Sequence, residues 1–223
     1  TTDLATILQR QHNHHPDELW YCTDARQELH FTQVFRATRK AKLVPEDEKL
    51  DWFGFGTMNG KDGKPFKTRD GGVMSLKGLI ELVNEETLKR ITSETMTAEE
   101  KKSISRTVAI AALKYADFLP YRGTDYVFEV EKFSDLEGKT GPYLLYSTIR
   151  MKSLLNKAKD LKQESMHTIS TDSEKDVALT ILSMPNILTK SLETRSLNDI
   201  AEYLYKLTSQ YNKFYAENKI LTE

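Results

Sequence analysis

Seven of the ten glycines in this chain fall between Gly54 and Gly78, and that clustering divides what the flanking stretches can become. A glycine inside a helix costs roughly 1 kcal/mol relative to alanine, so the cluster marks turns and the long glycine-poor remainder is open to helix. Ahead of the cluster, Trp20-Tyr21-Cys22 is a short aromatic run that breaks into Asp24. Asp24-x-x-Gln27 has the form of a capping box, and Leu29, Val34, Phe35, Thr38 and Ala41 then make a helical stripe. A strand feeding directly into a helix is the unit of an α/β sheet. Phe53 to Met58 can alternate as a second strand, followed by the turn dipeptides Asn59-Gly60 and Asp62-Gly63. At the start, Thr1-Thr2-Asp3 before Leu4-Ala5-Thr6-Ile7-Leu8 reads as a capped helix.

Beyond the cluster the periodicity is helical. Leu76, Ile80, Val83, Thr87 and Ile91 share one face, and Thr97-x-x-Glu100 caps a helix with the stripe Ile104, Val108, Ala111 and Tyr115. Asp125 to Val130 reads as a short strand or an extended connection. Pro142 opens a helix carrying Tyr143, Tyr146, Ile149 and Ser153, and Asp160 to Ser173 is polar and loop-like. Thr171-x-x-Glu174 starts a helix that Pro185 must kink or end. Ser196 is read as the cap of a last helix with Ile200, Leu204, Leu207, Tyr211 and Phe214 on one face. The expected fold class is therefore α/β followed by all-α, with no internal repeat.

A length of 223 residues fits one large domain or two small ones, and 32 basic against 33 acidic groups leave a net charge of −1. No global attraction to nucleic acid or lipid follows from that balance, although a local patch can supply one. No apolar run approaches the ~20 residues that span a bilayer, which predicts a soluble protein. A single cysteine, Cys22, rules out an internal disulfide and suits a reducing cytosol.

Chemistry concentrates in the glycine cluster. Residues 60 to 77 carry Lys61, Lys64, Lys67, Arg69 and Lys77 against Asp62 and Asp70. Glycines let backbone N–H groups approach a ligand, and closely spaced lysines neutralise phosphate oxygens. GxxxxGK[ST] is absent, so this is not a P-loop, and a solvated hairpin tip with surface lysines explains the same composition. His12, His14, His15 and Cys22 match no familiar zinc spacing, so no metal site is expected. Gln27 either caps its own helix or faces a ligand at the C-terminal end of a strand. Tyr143, Tyr146, Tyr203, Tyr205, Tyr211 and Tyr215 can stack on unpaired RNA bases, but at helical spacing most belong to packing.

Taken together, these residues resemble the bacterial-type arginyl-tRNA synthetases, which are class I aminoacyl-tRNA synthetases. Tyr21-Cys-Thr-Asp-Ala-Arg-Gln27-x-x-His30-Phe31 is similar to the family's strand–helix after its substrate motif. Phe55-Gly-Thr-Met-Asn-Gly-Lys-Asp-Gly-Lys-Pro-Phe-Lys-Thr-Arg69 resembles a degenerate KMSKS loop. Lys114-Tyr-Ala-Asp117, Arg122-x-Thr-Asp-Tyr-Val-Phe128 and Glu137-Gly-Lys-Thr-Gly-Pro-Tyr143 resemble the helical junction that follows. Tyr203-Leu-Tyr-Lys-Leu and Asn212-Lys-Phe-Tyr215 resemble the anticodon-binding bundle. The likeness runs over essentially the whole chain.

The resemblance implies the second half of a Rossmann-like catalytic domain over 1–95, a helical junction over 96–141, and a truncated helical anticodon-binding domain over 142–223. It implies ATP-dependent ligation of L-arginine to tRNA-Arg through an arginyl-adenylate, with Mg2+ accompanying the ATP, in a cytoplasmic monomer that binds neither DNA nor membrane. Asp3 and Gln27 would hold the arginine, since acidic groups matched to the planar guanidinium fork discriminate it from lysine. Gly56, Thr57 and Met58 would line the adenine site. Lys64, Lys67, Thr68 and Arg69 would form the mobile catalytic loop, and Asn212 and Tyr215 would contact tRNA. No HIGH sequence occurs, and the histidines at 12, 14, 15, 30 and 167 offer no substitute. The family's N-terminal domain and first Rossmann half are expected before Thr1, and its last helices after Glu223, so the isolated chain is expected to be inactive. The alternative is a naturally short, non-catalytic paralogue that binds tRNA or a protein.

Overall fold

The computed structural model describes residues 2–65, 74–159 and 168–220. The chain groups into two compact units: residues 1–58 with 122–126, and residues 59–121 with 127–223.

The first unit is a β-α-β arrangement preceded by a helix. Helix α1 (Thr2–His14) leads into β1 (Glu18–Asp24), a 3-10 turn (Ala25–Gln27), α2 (Glu28–Lys40) and β2 (Lys49–Phe55). The strands pair in parallel, from Glu18 opposite Lys49 to Asp24 opposite Phe55. Strand alternation turns Leu19 and Tyr21 inward, where they join Ile7, Phe31, Val34 and Val44 in one core. Tyr21 anchors it: its ring lies 5.1 Å from Phe31 and 5.6 Å from Phe35, with the Arg10 guanidinium 5.1 Å above. Burial raises its hydroxyl pKa, against the opposing pull of Arg10.

Several expectations shift here. The strand expected over Phe53 to Met58 starts at Lys49 and stops at Phe55; Met58–Asn59 forms a separate β3 that pairs with β4 (Tyr126–Val127). The Asp125-to-Val130 strand is thus only two residues long. On α2 the buried residues are Phe31, Val34 and Thr38, while Leu29 is exposed, because it sits five residues before Val34 and therefore about 140° around the helix from it.

The second unit is helical. After a turn over 59–65 come α3 (Leu76–Arg90), α4 (Ala98–Phe118), α5 (Val130–Phe133), α6 (Gly141–Ala158), α7 (Asp172–Leu182), α8 (Met184–Thr194) and α9 (Asn198–Glu217). Capping chemistry sets most starts. Thr97 with Glu100 and Thr171 with Glu174 form complete capping boxes, and Ser75 and Thr140 accept from backbone N–H groups of their first turns. Pro185 ends α7 by sitting in the first turn of α8.

The predicted stripes are offset. Burial on α4 falls on Ser105, Ala109, Ala112, Leu113, Tyr115 and Ala116, whereas Ile104 is exposed. On α3, Leu79, Val83 and Thr87 are buried and Leu76 is exposed, and on α6 Ser147 is buried while Tyr146 and Ile149 face out. Small residues occupy the contacts because the helices approach closely: a Cβ on Gly141 would run into the Ala111 carbonyl of α4. Ser196 is not the cap of α9, since Leu197 holds that position and the Ser196 hydroxyl bonds the Asn198 side chain. Leu204 is likewise exposed, and α9 buries Ala201, Tyr203 and Thr208. Tyr115 reaches from α4 to donate to the Ala201 carbonyl at 3.0 Å.

Candidate functional site

Parallel strands place their following loops at one edge of the sheet, the edge where open α/β sheets bind ligands. Asp24 opposite Phe55 is the last pair of the β1–β2 ladder, so Gln27 and Gly56 both emerge at that edge. Asp24 turns back to accept from the Arg26 backbone N–H at 2.9 Å and from its guanidinium at 2.6 and 2.7 Å. Those bonds to Arg26 hold the Asp24 carboxyl down at about 2, so the pair stays ionised at neutral pH. Gln27 is exposed and makes no side-chain capping bond, which removes the capping reading and leaves its amide facing outward. Asp3, in the first turn of α1, lies 2.9 Å from the His30 imidazole, one turn beyond Gln27 on α2. The two residues expected to hold arginine are thus both tied to the start of α2.

Gly56 and Thr57 leave β2 in a firmly held turn. Gly56 N–H donates to the Arg122 carbonyl at 2.8 Å, and Thr57 N–H donates to Asp125 Oδ1 at 2.6 Å. Arg122, Asp125 and His30 were not singled out individually from the sequence. Their partners lie 27 to 68 residues away, and no local periodicity reports such pairings.

In the second unit, Asn59 to Pro65 form a tight hairpin. Gly60 N–H donates to the Lys64 carbonyl at 2.8 Å, Gly63 takes a positive φ of 69°, and Asn59 bridges Pro65. Lys64 N–H donates to Asp62 Oδ1 at 3.1 Å and its side chain is exposed. Lys61 lies 3.2 Å from Glu131 and 3.8 Å from Glu129, across a shallow pocket of about 350 Å³. Lys67, Thr68 and Arg69 lie outside the described residues.

At the far end of this unit, Asn212 on α9 spends its side chain on α6. It donates to Tyr143 Oη at 3.0 Å and Ser147 Oγ at 2.9 Å, and accepts from Arg150 Nη1 at 3.0 Å. Tyr215 is more open. With Tyr146, Arg150, Lys157 and Lys219 it lines a groove of about 490 Å³, with the Arg150 guanidinium 5.0 Å over Tyr146 and 5.3 Å from the Tyr215 ring. Among the described residues no cluster of three His, Cys, Asp or Glu side chains could hold a metal, and no helix is long and apolar enough to cross a membrane.

The model of the catalytic domain of class I tRNA synthetases (R) matches residues 1–130 of this chain. The chain belongs to that family. The DALR anticodon binding domain follows over residues 144–223. An arginine–tRNA ligase of Alkaliphilus oremlandii is 43% identical over 227 residues, covering 100% of this chain and 39% of that protein. One from Agathobacter rectalis is 41% identical over 237 residues, covering 100% of this chain and 40% of its own length. The crystal structure of arginyl-tRNA synthetase from Plasmodium falciparum superposes with a TM-score of 0.78 at 24% identity, covering 99% of this chain and 38% of that one. The chain thus spans about two-fifths of its synthetase relatives.

Proposed function

We propose that this chain is a portion of an arginine–tRNA ligase, supplying the later half of the catalytic domain over 1–95, a junction over 96–141 and the anticodon-binding helices over 142–223. The family match carries the ligase part of this reading, though not these bounds: a class I arginine-type catalytic segment matched over 1–130 is followed in order by a DALR segment over 144–223. The cytoplasmic, monomeric enzyme joins L-arginine to tRNA-Arg with ATP and its Mg2+. In this reading Asp3 accepts from the arginine guanidinium and Gln27 hydrogen-bonds the amino acid. Gly56, Thr57 and Met58 line the adenine, while Lys64, Lys67, Thr68 and Arg69 stabilise charge developing on the triphosphate. Tyr215 offers a ring for an unpaired base. Asn212 serves tRNA indirectly, by holding α6 against α9.

Two measurements test the reading. Full-length enzyme in which Lys67 and Arg69 are both changed to Ala is expected to lose aminoacylation by at least ~100-fold, because two charges that act on the transition state are gone. Retained activity would remove the loop from catalysis. The 223-residue chain alone is expected to show no arginine-dependent ATP–pyrophosphate exchange even with tRNA present; exchange by this chain would overturn its standing as an incomplete catalyst.

A further inference from the structure

Arg122 to Tyr126 are distant in sequence from β2 and yet group with the first unit. They act there as a strap. Gly56 N–H donates to the Arg122 carbonyl at 2.8 Å, and Tyr126 N–H donates to the Thr57 carbonyl at 3.1 Å. Thr57 N–H donates to Asp125 Oδ1 at 2.6 Å, and Arg122 Nη1 donates to the Gly54 carbonyl at 2.8 Å. The Arg122 guanidinium also lies 5.3 Å over the Phe53 ring. One five-residue segment therefore satisfies four backbone polar groups between Gly54 and Thr57. The approach is so close that a Cβ on Gly56 would strike the Thr124 carbonyl.

We propose that Asp125 and Arg122 are positioning residues for the nucleotide, fixing the Gly56–Thr57 backbone before ATP arrives. The inference rests on the reading of Gly56 to Met58 as the adenine site. A backbone already held in one conformation loses little freedom when a ligand docks on it, whereas a loose one must be ordered at the expense of affinity. Asp125 matters most because its carboxylate accepts the Thr57 N–H directly, and hydrogen bonds to charged acceptors are the stronger kind. Removing it frees the Thr57 N–H and slackens the turn without touching the residues expected to bind arginine.

The test is arginine-dependent ATP–pyrophosphate exchange by the full-length enzyme with tRNA-Arg present. Asp125→Ala is expected to raise KM for ATP roughly tenfold, the scale of one charge-assisted hydrogen bond, with KM for arginine unchanged. Asp125→Asn keeps an oxygen for the Thr57 N–H and should return KM for ATP to within about threefold of wild type. Gly56→Ala should reproduce the Asp125→Ala pattern by pushing the strap away. If Asp125→Ala does not fold, Arg122→Lys reports the same split, since the ammonium cannot both reach the Gly54 carbonyl and cover Phe53. An unchanged KM for ATP, a parallel rise for arginine, or no rescue by Asn overturns the proposal while leaving the ligase reading intact. A wild-type enzyme without exchange activity overturns the ligase reading itself.

Discussion

Glu48 is the least comfortable charge in the first unit. It is 4% exposed, and neither carboxylate oxygen has a hydrogen-bond partner among the described residues. Burial holds its carboxyl above the ordinary range, with the Arg39 guanidinium working against that shift. The ionised form is therefore the one the fold disfavours. Its contribution to stability is complete below the ordinary carboxylate pKa and is lost as pH rises through the raised value. Glu48→Gln should accordingly stabilise the protein by about 1 kcal/mol at pH 7 and by nothing at pH 4, read from urea midpoints. A variant no more stable than wild type at pH 7 would contradict this. The same scale shows what single residues disclose in sequence. Gly56 follows a strand directly and Gln27 closes the three-residue turn after one, so the edge position of both is legible locally. The Asn212 amide bonds Tyr143, Ser147 and Arg150, a use that only helix packing reveals.

At the level of elements, most helix starts are legible in the sequence, while strand bounds and helix faces are legible only in part. Thr97 with Glu100, Pro142, Thr171 with Glu174 and Pro185 each act through bonds within one turn, so a few residues of sequence suffice to read them. Faces depend on which neighbour arrives. The stripes of large apolar residues pointed Ile104 and Ile149 inward, yet α4 and α6 meet through Ala111, Ala112 and Gly141 and leave those isoleucines outside. Close approach of that kind rewards small residues and leaves no hydrophobic period to detect. Gly141→Ala should therefore cost about 1–3 kcal/mol, because the added methyl has to displace the Ala111 carbonyl. A thermal midpoint within a degree of wild type would show that α6 can slide away freely. Thr171→Ala removes half of a capping box and should cost about 1 kcal/mol, an effect confined to the start of α7.

Across the molecule, the near-zero net charge places any affinity for RNA in local surfaces such as the groove holding Arg150, Lys157 and Lys219. On the proposed ligase reading, binding of tRNA-Arg followed by fluorescence anisotropy should weaken linearly in log salt with a shallow slope, roughly −1 per phosphate contact. Affinity indifferent to salt would point away from phosphate neutralisation. The division into two units has a further, optical consequence. The chain has two tryptophans, Trp20 and Trp52, and both sit in the β1–β2 ladder of the first unit. Trp20 is half exposed against Phe53, whereas Trp52 donates its indole N–H to Thr23 at 2.8 Å. Indole emission therefore reads the strand pair alone, while far-ultraviolet dichroism is dominated by the helices of the second unit. One unit of this chain is thus labelled and the other dark, so a single melt recorded in both channels counts how many transitions the two units make.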